Sequence, residues 1–323
     1  MSVRDELLSQ LLHTPGVCVS GAELAKSLSV SRNAVWKAVQ LLIEEGYPVT
    51  TVAGKGYRLS EDSDIVSALS IQPFLKNPDR HPLIVQAQVT STNDVAKGIA
   101  AQGAAEGTVV IAREQTAGRG RRGRSFYSPE QDGIYMTLVL RPKMPAQEAL
   151  CLTTIAAVAV TRAIHNVVGR EAKIKWVNDV LIDGKKVCGI LTEASLSMEG
   201  GTLDYAVVGI GLNMHPPGGG YPEDIRHIAG CIAQDPTLDQ VSSRMVAAVI
   251  TEFFAFYDDI ESARYMDEYR ARSAVVGRAI DVWAQDKTRR AKALFIDDEC
   301  ALHVQYEDGT KQALSSGEVS IRL

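Results

Sequence analysis

Near the N-terminus apolar side chains recur at helical spacing, with Leu7, Leu8, Leu11 and Leu12 on one face. Ser20-Gly21-Ala22-Glu23 has the form of a capping box, in which the serine oxygen accepts from the Glu23 N–H and the glutamate reaches back. It opens a short helix to about Leu28. Ser29-Val30-Ser31 then turns the chain into a second helix over 32–45, with Ala34, Val35, Ala38, Leu41 and Leu42 on one face and Gly46 as its stop. The spacing next becomes that of strands: 49–52, a turn at Ala53-Gly54-Lys55-Gly56, and 57–59 read as a hairpin. Residues 60–64 (SEDSD) are polar and acidic and read as a linker.

Beyond the linker, apolar runs predict strands over 83–89, 108–113, 134–141, 173–176, 180–182, 186–192 and 205–213. Helices are predicted over 93–101, 146–168, 241–260 and 263–273. Asp183-Gly184 is a two-residue hairpin signal. Strands joined by hairpins imply an α+β fold with an antiparallel or mixed sheet and helices packed on one face. The apolar stretch 151–168 holds Arg162, His165 and several threonines, and reads as a buried helix, not a membrane span. Strand-like runs over 279–283, 291–296, 301–306 and 311–314 form a small all-β module. The organisation expected is 1–60, 65–272 and 273–323.

Length and composition narrow this only a little. At ~100–200 residues per domain, 323 residues make two or three domains. With 46% hydrophobic and 23% charged residues the chain is of ordinary globular type, not disordered. The net charge of −5 carries no chain-wide nucleic-acid signature, so any such surface must be local. One is: residues 26–58 carry Lys26, Arg32, Lys37, Lys55 and Arg58 against Glu44 and Glu45, a local balance of +3. Two helices joined by a tight turn and followed by a hairpin suggest a winged helix-turn-helix. Ser31, Arg32 and Asn33 would then lead the recognition helix, with Lys37 one turn on and Lys55 and Arg58 on the wing. A packing module of the same shape is the plain alternative. Five scattered cysteines with no C-x-x-C argue against structural zinc or a disulfide framework and fit a reducing cytoplasm. The N-terminus has acids where a signal peptide needs bases.

The most unusual segment is Gly118-Arg119-Gly120-Arg121-Arg122-Gly123-Arg124. It matches G-x-G-x-x-G, but Ser125-Phe126-Tyr127-Ser128-Pro129 is a poor helix start, so the dinucleotide-binding reading fails. It is no Walker loop, because the closing Lys-Ser/Thr is missing. Clustered arginines repel one another, and the glycines let backbone approach a ligand, so the loop suits a phosphate or carboxylate and should be mobile when empty. A solvated basic loop is the plain alternative. Ser91-Thr92-Asn93-Asp94 lies between a strand and a helix, with Ser91 as N-cap and short polar groups at a positive helix end. Lys175-Trp176-Val177-Asn178-Asp179 sits where two strands meet, and Lys186 lies on the return strand beside Cys188. Gly209, Gly211 and Asn213 mark a strand that something approaches closely. His215 has no partner at metal-ligand spacing.

Taken together, these motifs in this order resemble the biotin protein ligases, of the bifunctional bacterial kind that also represses the biotin operon. The marks are GKGYRL, STN, EQTAGRGRRGRSFYSP, KWVNDVLIDGKKVCGILTE and VVGIGLNMH. The resemblance implies a winged helix-turn-helix, a central mixed-sheet domain of the class II aminoacyl-synthetase and biotin/lipoate ligase type, and a C-terminal SH3-like barrel. It implies ATP and Mg²⁺ as cofactors, biotin as substrate and no structural metal. It also implies a biotin carboxyl-carrier domain and operator DNA as partners, a homodimer when adenylate is bound, and no membrane. Ser91, Thr92, Asn93, Gln115, Arg119, Gly120, Arg121 and Lys186 would bind biotin. Arg121, Arg124, Phe126, Asn178, Asp179 and Asn213 would bind ATP or adenylate, with Mg²⁺ near Asp179. Lys186, Arg121 and Arg119 would be catalytic. A lipoate-type ligase and a ligand-sensing repressor with weak catalysis are the alternatives.

Overall fold

The structure, a computed structural model, describes the chain except residues 1, 45–46, 61–63, 65, 131, 197–201, 235–239, 285–286, 316–317 and 322–323. The expected helix stop at Gly46 and the middle of the 60–64 linker lie outside the described residues. The chain divides into two compact units, Met1–Pro78 with Asp235–Ala247, and Asp79–Gln234 with Ala248–Leu323.

In the first unit α1 (Val3–His13), α2 (Gly21–Ser27) and α3 (Arg32–Glu44) enclose a leucine-rich core and lead into the hairpin of β1 (Val49–Val52) and β2 (Gly56–Leu59). Capping boxes open both α1, from Ser2 with Asp5, and α2, from Ser20 with Glu23. The buried stripe of α3 is Val35, Ala38, Val39 and Leu42, while Leu41 is 47% exposed. This corrects the expected face: the i, i+3, i+4, i+7 stripe passes through Val39, and Leu41 falls on the opposite side. A short helix, α4 (Ala68–Ile71), follows.

The second unit is built on a seven-stranded mixed sheet. Its strands are β3 (Leu83–Val89), β4 (Val109–Gln115), β5 (Gly133–Leu140), β6 (Lys173–Lys175), β7 (Asp179–Ile182), β8 (Lys185–Leu196) and β9 (Leu203–Asn213). They lie in the order β3-β4-β5-β9-β8-β7-β6, with β3 and β4 parallel and every other pair antiparallel. The expected strand 173–176 stops at Lys175, because the chain turns through 176–178 into β7.

α5 (Thr92–Ala101) lies on one face of this sheet, where Ala96 and Ala100 pack on Val110, Val139 and Val207. α6 (Leu150–Val168) lies on the other: its Thr153 hydrogen-bonds Thr192 at 2.7 Å, and Thr192 pairs with Val208, one residue out of step with Val207. The expectation of helices on one face is therefore corrected, since both faces of the central strands are apolar and need cover. The first turn of the expected helix 146–168 is a 3₁₀ turn, Ala146–Ala149. α6 is mostly buried despite a length and composition sufficient to cross a membrane.

The remaining helices are α7 (Val241–Tyr257) and α8 (Arg264–Ala271). The chain ends in a five-stranded antiparallel sheet of β10 (Ala279–Ala284), β11 (Lys287–Ile296), β12 (Leu302–Tyr306), β13 (Lys311–Leu314) and β14 (Glu318–Ile321), ordered β13-β12-β11-β10-β14. Strand β14 is too short to announce itself and exists by pairing with β10, distant in sequence. The five cysteines are free thiols.

Gly56 opens β2 with φ at +115°, and a Cβ there would come within 2.1 Å of the Val19 carbonyl oxygen. That close approach lets Val19 and Tyr57 exchange backbone hydrogen bonds. Gly56→Ala should lower the stability of the first unit by about 2 kcal/mol or more, seen as a lower melting temperature for that unit by calorimetry.

Candidate active site

The site lies on the α5 face of the seven-stranded sheet. Its floor is free of side chains: Gly189 of β8 and Gly211 of β9 stand opposite each other, and Gly209 follows along β9. A Cβ on Gly211 would lie 2.5 Å from the Phe126 ring, and one on Gly209 would lie 2.1 Å from Asn93 Oδ1. The close approach expected along β9 is thus made by Phe126 and Asn93. Around this floor a cleft is lined by Ser91, Thr92, Asn93, Gln115, Arg119, Gly120, Arg121, Phe126, Asn178 and Lys186, among others.

A polar chain sets the deep end. Thr92 donates its backbone N–H and its hydroxyl to Gln115 Oε1, at 2.9 and 3.1 Å. Gln115 Nε2 donates to Ser128 Oγ at 3.0 Å, and Ser128 donates to the Phe126 carbonyl at 2.9 Å. Beneath them the buried Thr137 of β5 lies 2.8 Å from both Thr92 Oγ1 and Asn93 Oδ1. Asn93 Nδ2 donates to the Leu191 carbonyl at 3.2 Å and to Glu193 Oε2 at 2.8 Å. Both Asn93 donors are engaged inside the protein, which leaves it a scaffold for Thr92. Ser91 is the N-cap of α5, as expected, but its side chain makes no capping hydrogen bond, and it lines the cleft. Thr137, Ser128 and Glu193 escaped sequence reading. Ser128 and Glu193 stand within the quoted motifs, and Thr137 within a predicted strand, but nothing adjacent to them in sequence marks their role.

The arginine loop crosses the mouth. Gly120 N–H donates to the Arg124 carbonyl at 2.7 Å and Phe126 N–H to the Gly118 carbonyl at 2.8 Å, which closes residues 118–126 on themselves. Arg122 sits at φ +56° and Gly123 at φ +73°. The arginines part company. Arg119 donates to Asp94 at 2.5 Å and to Glu193 at 3.1 Å. Arg121 donates to Asn178 Oδ1 at 3.2 Å. Arg124, with Arg122, borders an adjoining recess shared with Lys175, Asn178, Asp179 and Lys186. The catalytic role expected of Arg119 is therefore qualified: its guanidinium already has two carboxylate partners.

Lys186 is not the solvated strand lysine that its sequence context alone suggests. Its Nζ lies 2.6 Å from Asp179 Oδ1 and 5.9 Å from the Phe126 ring centroid. Asn178 ends the turn between β6 and β7, and Asp179 opens β7. That turn is held by Trp176 Nε1 donating to the Cys300 carbonyl, by Tyr269 Oη donating to the Val177 carbonyl, and by Asn178 Nδ2 donating to the Ile190 carbonyl. Asn213 does not line the cleft. Its amide donates to the carbonyls of Lys186 at 3.3 Å and Gly230 at 3.0 Å, so it steadies the strand behind Lys186. Cys188 is fully buried on the opposite face, where burial pushes its thiol pKa up and keeps it inert.

Burial would raise the Glu193 pKa, but hydrogen bonds from Lys97 and Asn93 and the charges of Lys97 and Arg119 outweigh it, holding the carboxyl below its ordinary value. A depressed pKa means these contacts add stability above the ordinary carboxylate range and lose it as pH falls through the lowered value. Among the described residues no group of three or more His, Cys, Asp or Glu could hold a metal.

In the first unit Arg32, Asn33 and Lys37 are exposed along α3 beside Trp36, and Lys55 and Arg58 are exposed on the hairpin. Ser31 Oγ accepts from the Ala34 N–H at 3.2 Å and so caps α3.

Comparison with known proteins identifies the family. Residues 85–213 match the model of the Biotin/lipoate A/B protein ligase family, residues 3–58 an HTH domain, and residues 276–322 the Biotin protein ligase C terminal domain. The Bifunctional ligase/repressor BirA of Bacillus subtilis (strain 168) is 33% identical over 320 residues, 98% of each chain. That of Escherichia coli (strain K12) is 28% identical over 94% of this chain and 92% of its own. The fold matches the biotin protein ligase from Aquifex aeolicus in complex with biotin and ATP, with a TM-score of 0.62 at 24% identity over 75% of this chain and 98% of that one. Identity of this order along almost the whole length means that the chain belongs to the biotin protein ligases, in the line of the bifunctional ligase/repressors.

Proposed function

We propose that the protein adenylates biotin with ATP, transfers biotin to a lysine of a carboxyl-carrier domain, and represses biotin-biosynthesis transcription when loaded with biotinyl-5′-AMP. The observation that carries this reading is the cleft, where a polar, uncharged deep end meets Lys186 and Arg121 at the mouth. In the first step a biotin carboxylate oxygen attacks the α-phosphorus and the bond to pyrophosphate breaks. In the second the carrier amine attacks the acyl carbon, AMP leaves and the amine gives up a proton. Two anions must meet in step one, so catalysis needs alignment and charge neutralisation, not an enzyme nucleophile.

Ser91, Thr92 and Gln115 would bind the ureido end, with Asn93 and Thr137 behind them. The Gly120 and Arg121 backbone would run along the ligand, and Arg121 and Lys186 would face the carboxyl and α-phosphate oxygens. Phe126 would pack against the nucleotide while Arg124 and Asn178 border it. To engage substrate, Lys186 must exchange its contact with Asp179. Among the described residues lining the adjoining recess Asp179 is then the one carboxylate, with Lys175 3.8 Å from its other oxygen. A single carboxylate plus phosphate oxygens is a usual magnesium arrangement, so Asp179 would help hold a Mg²⁺ that offsets phosphate charge.

Domains 1–60, 65–272 and 273–323 remain the organisation that best fits the three functions, with an SH3-like closure of the C-terminal sheet and a class II synthetase-like core. Arg32, Asn33 and Lys37 would enter the major groove, with Ser31 at its edge and Lys55 and Arg58 on phosphates. A small contact area and a +3 balance give weak binding, so a homodimer on a two-part operator, formed on loading with adenylate in the cytoplasm, supplies specificity.

Labelled biotin and lipoate, each with ATP, Mg²⁺ and a carrier domain, test the reading directly: biotin should be incorporated and lipoate should not. Lys186→Ala should slow adenylation about 100-fold or more, while calorimetry finds biotin affinity changed far less. Equal losses would make the lysine a mere substrate holder. In gel shifts, Arg32→Ala and Lys37→Ala should each weaken operator binding roughly 10-fold, and biotinyl-5′-AMP should tighten both operator binding and self-association.

A further inference from the structure

The face that α3 turns to solvent carries one side chain to which the functions described so far give no task. Trp36 is 51% exposed and is no part of the core of the first unit. Its indole has no hydrogen-bond, ring or cation partner among the described residues. One exposed apolar side chain needs no explanation by itself. The position of this one does. At about 100° per residue, Asn33, Trp36, Lys37 and Gln40 fall within roughly 100° of arc. That arc lies away from the buried stripe of Val35, Ala38, Val39 and Leu42. Asn33 and Lys37 are exposed on it, and Arg32 stands one turn before Trp36. The other exposed apolar residues of α3, Leu41 and Ile43, come later in the helix, past the N-terminal part that leads into a groove.

The chemistry of the major groove restricts what such a ring can meet. Every base pair presents hydrogen-bonding groups there, and the one apolar group is the C5-methyl of thymine. A flat ring with a single N–H donor, laid over polar base edges, would leave them without partners at a cost. Laid over thymine methyls it covers nothing polar, and apolar surface leaves water on both sides. Asn33, one turn earlier on the same face, is suited to adenine, the partner of thymine. Both residues thus select the same kind of base pair. Charge argues against a second copy of the chain on this face. A two-fold pairing through it would set Arg32 and Lys37 against Arg32 and Lys37, whereas DNA brings phosphates to them.

We propose that Trp36 is a specificity-determining residue of the DNA-binding helix: its indole packs on the C5-methyl groups of one or two thymines in each half-site, next to an adenine read by Asn33. Lys55 and Arg58 attract any duplex; Trp36 helps to choose among duplexes.

The proposal rests on the DNA-binding reading, and the test separates the two. The probe is the duplex that the full-length, adenylate-loaded protein selects from a random-sequence pool. Replacing its thymines by uracil, one at a time, removes a methyl and leaves every hydrogen bond. One or two positions per half-site should each lose roughly 4-fold in affinity, the scale of one buried carbon. Trp36→Ala should weaken binding to the selected duplex roughly 10-fold and be indifferent to uracil at those same positions, as coupled partners require. Its affinity for a random-sequence duplex and its salt dependence should match the parent's, because no phosphate contact is lost. Trp36→Phe should keep part of the thymine preference. A melting temperature of Trp36→Ala near the parent's excludes unfolding. Full sensitivity to uracil in Trp36→Ala, or equal losses on selected and random duplexes, would overturn the proposal. Loss of self-association in Trp36→Ala, with the selected duplex bound as before, would put a second copy on this face instead. A parent that selects a sequence yet ignores its thymine methyls overturns the proposal alone, without need of any variant. A parent that selects no sequence overturns the DNA-binding reading and the proposal with it.

Discussion

Four arginines in six residues cannot lie together without anions between them, and much of this site can be understood as the answer to that constraint. The protein distributes them. Arg119 goes to Asp94 and Glu193, Arg121 to Asn178 Oδ1, and Arg124 borders the adjoining recess. Lys186 follows the same logic with Asp179. A phosphate or carboxylate entering the cleft competes with Asn178 and Asp179 for Arg121 and Lys186, cations that are already held in place. Preorganised charge of this kind is what a reaction between two anions requires, because little reorganisation is left for the moment of reaction.

The second requirement is room. On one face of β8 and β9 the side chains at Gly189, Gly209 and Gly211 are absent, and the space is taken by the Phe126 ring and the Asn93 amide. On the other face the same strands carry Cys188, Ile190, Val208, Ile210 and Leu212, all buried. The sheet thus holds its core on the α6 side and opens its cleft on the α5 side. Period-two alternation makes this division possible within single strands. It also explains why Cys188, so near Lys186 in sequence, has no part in the chemistry.

In the N-terminal unit a core mostly of leucine and valine is formed by α1, α2, α3 and the hairpin, with Leu69 of α4 packed against it, while Arg32, Asn33 and Lys37 of α3 are exposed beside Trp36. An exposed face with Arg32, Asn33 and Lys37 is what a groove-reading helix needs.

Local signals carried a large part of this protein. Capping boxes, the Asp183-Gly184 hairpin, the 3.6-residue stripe of the first helices and the glycine-arginine run could each be read from a few neighbouring residues, because each is a short-range matter of backbone geometry or charge. The motifs together also named the family. What neighbours in sequence could not tell was decided by contacts across the sheet. Strand order placed Thr137 under Thr92, put Glu193 beside Arg119, and turned Asn213 toward the carbonyls behind Lys186. Leu41 and the helices on both sheet faces were misread for a related reason, since a side chain's neighbours depend on which face its element presents. The sequence determined which chemistry was present; only the tertiary structure decided which charges neutralise one another, because that depends on distances between segments far apart along the chain.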